Sequence, residues 1–209
     1  MKKSIISLGL LSILMVSCGE STESKNIKST QTEKVCTYGY DATSTTIGWT
    51  AFKFTEKKGV SGVFDEAEVL IANNAEDMFK TLEGASFTIP VTSINSNNPA
   101  RDEKLKNSFF GSMETTEVIS GIVKSINETE ATIEISMNGI SKDYYGTVSV
   151  DGLKVAFSTT IDMVDYEAQH AIDSLNIVCS EKHTSEDGVS KLWSEVDINV
   201  ETTLVKTCK

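Results

Sequence analysis

The sequence predicts an all-β protein of about eight antiparallel strands, on three observations. Apolar and polar residues alternate with a period of two through most of the chain beyond Tyr38, the signature of strands with one face turned to a core and the other to water. Turn dipeptides fall between those runs, Asn138-Gly139 and Asp151-Gly152 above all. Helical spacing is confined to three short stretches, and no internal repeat of fixed period appears.

The first element is not part of the fold. Met1-Lys2-Lys3 is a positive start, and Ile5 to Val16 is an apolar run broken by Ser7, Gly9 and Ser12. That run is too short to span a bilayer comfortably and has the layout of a secretory signal. It ends in Leu14-Met15-Val16-Ser17-Cys18-Gly19, which resembles the lipobox of bacterial lipoproteins, with Met15 where Leu is usual. The resemblance implies a signal peptide over residues 1–17, cleavage before Cys18 and acylation of Cys18. Each buried acyl methylene contributes about 0.8 kcal/mol of anchoring. The expected location is the cell envelope, exported and held on a membrane. Residues 18–37 then form a tether, since Glu20 to Lys34 is rich in Ser, Thr, Glu and Lys and has Ile27 as its aliphatic residue. Residues 38–209 form one domain.

Charge excludes several classes of partner. The chain carries a net charge of −11, and without Lys2 and Lys3 it keeps 17 basic against 30 acidic residues, a net of −13. Nucleic-acid binding relies on clustered Lys and Arg, so a surface this acidic argues against it. Adhesion to anionic lipids through charge is disfavoured for the same reason. Membrane attachment therefore falls to the acyl anchor.

Strands are expected at about 45–55, 60–72, 84–96, 116–127, 129–139, 140–150, 152–163 and 190–206. Phe87, Ile89 and Val91 alternate with Thr88, Pro90 and Thr92, and Ile133, Ile135 and Met137 alternate with Thr132, Glu134 and Ser136. Val155, Phe157 and Ile161 share a face opposite Lys154, Ser158 and Asp162, and Val196, Ile198, Val200 and Leu204 alternate with Glu195, Asp197, Asn199 and Glu201. Ala75 to Glu83, Pro99 to Phe110 and Asp165 to Leu175 read as helices, the second with a proline suited to a first turn. Such strands have two common solutions, a sandwich or a closed barrel, and closure removes the exposed edges. An eight-stranded barrel is just wide enough to be filled by side chains or to hold one small ligand.

With Cys18 acylated, Cys36, Cys179 and Cys208 remain, and three pairings are open. Cys36 and Cys208 flank the folded part and would pair if the first and last strands were neighbours. Cys179 with His183 offers two metal ligands, which do not make a zinc site. No metal or cofactor is expected.

Several motifs resemble the YceI-like family. They are Thr46-Ile47-Gly48-Trp49-Thr50-Ala51-Phe52-Lys53 followed by Gly59-Val60-Ser61-Gly62-Val63-Phe64, and Ile89-Pro90-Val91-Thr92-Ser93-Ile94-Asn95 followed by the run from Arg101 to Phe110. Ile135 to Lys142, with its Asn138-Gly139 turn, is similar to that family's later hairpin. The resemblance covers about residues 40–206 and implies an eight-stranded antiparallel, lipocalin-like barrel whose apolar interior holds a polyisoprenoid or a related amphiphilic lipid. The chain departs from the family in Lys104, where His is usual, in Ser108-Phe109-Phe110-Gly111, and in a longer stretch from Asp165 to Lys191.

The candidate interior is therefore Phe87, Ile89, Val91, Ile133, Ile135, Met137, Val155, Phe157, Ile198 and Val200 by parity within each strand, with Trp49, Phe52 and Phe64 from the first two. Arg101 and Asp102 are candidates for the barrel mouth or for a helix cap and local ion pair, and Phe109 and Phe110 for a plug or a helix anchor. The expected partner is an apolar small molecule, an isoprenoid, quinone-like or fatty amphiphile. The competing reading is an envelope interaction module with a solid barrel, motivated by the acidic exterior and the 165–191 stretch. A homodimer stays open. Catalysis is not expected, because the two histidines, His170 and His183, lie outside any metal-ligand run, and no nucleophile elbow, phosphate loop or dinucleotide fingerprint occurs.

Overall fold

Alternation along the chain becomes a single curled sheet. A computed structural model describes residues 34–71 and 74–209; the expected signal segment, Cys18 and the expected tether as far as residue 33 lie outside the described residues. The strands are β1 Cys36–Gly39, β2 Thr46–Lys53, β3 Lys58–Phe64, β4 Glu68–Leu70, β5 Ser86–Pro90, β6 Ile94–Asn95, β7 Val118–Ile126, β8 Glu130–Met137, β9 Ile140–Asp151, β10 Lys154–Asp162, β11 Leu192–Thr203 and β12 Val205–Cys208. Ten of them form one sheet in the order β4-β5-β7-β8-β9-β10-β11-β2-β3-β6. Its ladders are antiparallel throughout.

The sheet closes through one run of chain. β5 pairs with β7 and β6 pairs with β3, and β5 and β6 are separated by the 3-10 turn Val91–Ser93. Residues 86–95 thus join both ends of the array and complete an eight-stave barrel. The expected strand 84–96 breaks here because Pro90 has no N–H to continue a ladder. Ser93 holds the corner: its Oγ donates to the Pro90 carbonyl at 2.7 Å, and its own carbonyl accepts from the Asp65 N–H at 2.9 Å. The expected strand 60–72 breaks at that same corner, into β3 against β2 and β4 against β5.

The hairpins follow their turn residues. Asn138 and Gly139 take φ of 51° and 73° between the paired ends Met137 and Ile140, the double left-handed turn that matches strand twist. Gly152 takes a φ of 61° between β9 and β10.

Helices cap the two ends. α1 Met78–Leu82 starts at Asp77, whose carboxylate accepts from the Phe79 and Lys80 N–H groups, and packs on β1 and β7. At the opposite end α2 Pro99–Lys104 is capped by the Asn98 side chain. It runs on as a wider π-turn segment over Leu105–Phe109. α3 Gln169–Val178 packs against that segment and against β11, and α4 Ser180–His183 follows.

A second, two-stranded sheet lies outside the barrel. β1 pairs with β12, and a disulfide joins Cys36 to Cys208 across 172 residues. β1 begins two residues inside the segment expected as tether. Cys179 is free and buried.

Candidate ligand-binding site

Three inward aromatic side chains lie flat along the barrel wall because each faces a glycine on a neighbouring strand. Trp49 is registered opposite Gly62, and Phe87 opposite Gly121. Phe157 lies over Gly146, diagonally across the β9–β10 ladder. A methyl group at any of the three glycines would come within 2.4 Å of the ring above it. Rings folded against the wall leave the axis of the barrel open.

That axis is a series of three adjoining cavities. The far one, about 150 Å³, is bordered by Ile47, Phe87, Ile89, Ile133, Ile135 and Phe157 and has a wholly apolar surface, since the hydroxyls of Tyr40, Thr45 and Thr202 at its border bond to one another. The middle one, about 110 Å³, has no charged residue in its wall. Phe64, Ile119, Met137, Ile161 and Ile198 border both of these and form the waist between them. The third, about 210 Å³, opens beside α2 and α4 and shares Trp49, Phe52, Leu105, Leu175 and Leu192 with the middle one. Walls of this kind favour a long apolar chain without any specific polar contact, at about 25 cal/mol per Å² buried.

The open end differs in chemistry. Lys53, Arg101, Lys104, Lys182 and His183 border it together with Cys179. Lys53 Nζ donates to the Lys182 carbonyl at 2.9 Å, and Lys104 Nζ to the Val178 carbonyl at 3.2 Å. Burial holds the Lys53 ammonium below its ordinary pKa, helped by the neighbouring charges of Lys58, Arg101 and Lys182. His183 is pushed down to about 4, first by burial and then by Lys53 and Lys104, and its Nδ1 lies 3.0 Å from Asn176 Oδ1. No group of three or more potential metal ligands occurs among the described residues.

Of the interior residues expected from sequence, Trp49, Phe52, Phe64, Phe87, Ile89, Ile133, Ile135, Met137, Phe157, Ile198 and Val200 border these cavities. Val91 and Val155 do not. Val91 sits in the 3-10 turn after Pro90, where strand parity no longer applies. Val155 packs among Leu82, Ala131, Val148 and Leu204 as plain core. Phe109 and Phe110 form an edge-to-face pair with centroids 5.1 Å apart and border the middle cavity. Arg101 reaches the mouth, whereas Asp102 turns away, buried, and accepts from the Ser96 N–H at 2.9 Å and the Ser96 hydroxyl at 2.5 Å. Arg101 and Asp102 form no ion pair among the described residues. Ile161, which parity puts on the same face as Phe157, also borders the cavities; Ile47 and Ile119, which strand parity could have found, were not expected, nor were Leu105, Leu175 and Leu192, which reach the cavity from helices and a bulged strand end.

A closed eight-stave antiparallel barrel around an apolar axis is lipocalin-like in architecture. The chain belongs to the YceI-like domain family, whose model matches residues 38–204. A polyisoprenoid binding domain from Saccharophagus degradans, implicated in plant cell wall breakdown, shares the fold at a TM-score of 0.56 and 14% identity, over 82% of this chain and 98% of that one. BcnA of Burkholderia cenocepacia shares it at 0.53 and 14%, over 80% of this chain and 99% of that one. In sequence, a UPF0312 protein of Staphylococcus aureus strain USA300 is 31% identical over 94 residues, 45% of this chain and 54% of that protein. The chain spans about half the length of the curated relatives it matches.

Proposed function

We propose that this protein is a non-catalytic carrier of the cell envelope, anchored through acyl chains on Cys18, that holds an isoprenoid, quinone-like or fatty amphiphile along the axis of its barrel. The observation that carries the proposal is the shared lining of the three cavities: Trp49 and Leu192 border the open-end and middle ones, Met137 and Ile198 the middle and far ones. One linear apolar chain is the ligand shape that such a series accommodates. The polyisoprenoid-binding neighbour supports the same reading through its fold. The 165–191 stretch, which would supply the recognition loops of an interaction module, contributes Leu175, Cys179, Lys182 and His183 to the cavity wall, and this supports the carrier instead.

Organic extraction of the protein purified from its native membrane, followed by mass spectrometry, tests the proposal. The expected result is a recurring lipid in near-stoichiometric amount. Repeated empty extracts, with no uptake of an added long-chain quinone or fatty amide, would rule the carrier out.

A further inference from the structure

The open end of the barrel is positively charged on a molecule that is otherwise acidic. Lys53, Arg101, Lys104 and Lys182 border the cavity there and no Asp or Glu does, although the chain has 30 acidic against 19 basic residues. None of the four takes part in a salt bridge among the described residues. The carbonyls that accept from Lys53 and Lys104 hold those ammonium groups beside the cavity and leave their charge uncompensated. Gathering like charges at a half-buried surface is unfavourable for folding, so the arrangement calls for a compensating anion.

The charge is confined to one end. Neither the middle cavity nor the far one has a charged residue in its wall, and the hydroxyls of Tyr40, Thr45 and Thr202 beside the far one bond to one another. Accepting the carrier reading above, we infer that the mouth is an anion-recognition site and that the ligand is an amphiphile with an anionic oxygen headgroup, a phosphate ester or a carboxylate, seated among Arg101, Lys53, Lys104 and Lys182 with its apolar chain in the barrel. Arg101 supplies a planar fork suited to two oxygens, and the lysines supply point charges that adapt to either head. The acidic remainder of the surface repels the same ligand and so favours entry at the mouth.

Two matched pairs of probes test this: geranylgeranyl phosphate against geranylgeraniol, and palmitate against palmitamide. Binding to the delipidated protein is followed by calorimetry and by the fluorescence of Trp49 and Trp193, both in the cavity wall. At least one anion should bind about tenfold tighter than its neutral partner, and the gap should narrow at about 0.5 M salt. The pair that shows the gap identifies the head. The double variant Arg101→Gln/Lys182→Gln, its fold verified by circular dichroism, should close that gap through weaker binding of the anion. Equal affinities within both pairs, or a gap that survives the double variant, would overturn the headgroup inference and leave the carrier standing. Failure of all four probes to bind would overturn both.

Discussion

Phe87 and Gly121 stand opposite each other across the β5–β7 ladder, the phenyl ring occupying the space a side chain at 121 would fill. A Cβ there would lie 2.3 Å from Phe87 Cζ and 2.1 Å from the Glu134 carbonyl oxygen. The glycine therefore sets both how closely two strands approach and how far a ring protrudes into the barrel. Gly121→Ala should destabilise the protein by about 2 kcal/mol, as overpacked cores do. Guanidinium unfolding measures the loss, and an unchanged midpoint would show that strand and ring shift at no cost.

The waist between the far and middle cavities offers a test of length. Met137 is buried and borders both. Met137→Trp should fill the waist, so that a geranylgeranyl chain binds about tenfold more weakly while a geranyl chain, short enough for one cavity, keeps its affinity. Titration of the two alcohols is the measurement. Equal weakening would mean that the cavities do not act in series.

The disulfide closes almost the whole domain into a loop of 172 residues. Chain-entropy arguments assign such a cross-link about 3–5 kcal/mol. Cys208→Ser should lower stability by that amount, and reductant should lower the wild type to the level of the variant. Thermal melts with and without dithiothreitol compare them.

His183 ties stability to pH. Its folded pKa of about 4 lies below the ordinary 6.5, so the folded protein keeps the imidazole neutral where the unfolded chain takes up a proton. This group's contribution is fully present above pH 6.5 and is lost as pH falls from 6.5 towards 4. Carboxylates titrate in the lower part of that window, and comparison with His183→Gln isolates the histidine. Melting curves at about pH 7 and pH 5 should show a smaller drop in the variant. Parallel drops would remove His183 as a source of acid sensitivity.

The anchor proposed for this protein is an acylated Cys18. Cys18→Ser should move the protein from the membrane to the soluble fraction after cell fractionation, and retention on the membrane would contradict acylation as the anchor.

Much of the barrel was legible from residue order. Alternation of apolar and polar side chains marks strands because successive Cβ atoms point to opposite faces, and Asn138-Gly139 marks a hairpin because both residues adopt left-handed backbone cheaply. Those are nearest-neighbour effects, so the eleven expected interior residues that border the cavities could be found from parity together with the family resemblance. Val91 and Val155 could not be separated from them by parity, because whether an inward side chain meets a cavity or a packed neighbour depends on residues remote in sequence. The same limit hid the charged mouth. Lys53 stands at the end of β2, Arg101 and Lys104 on α2 and Lys182 on α4, and in sequence each is one ordinary cation in an acidic chain. Only closure of the barrel through residues 86–95, and the seating of α2 and α3 over its end, brings them to one opening. Local preference determined the strands and their turns; long-range pairing decided what the strands enclose and which charges guard the entrance.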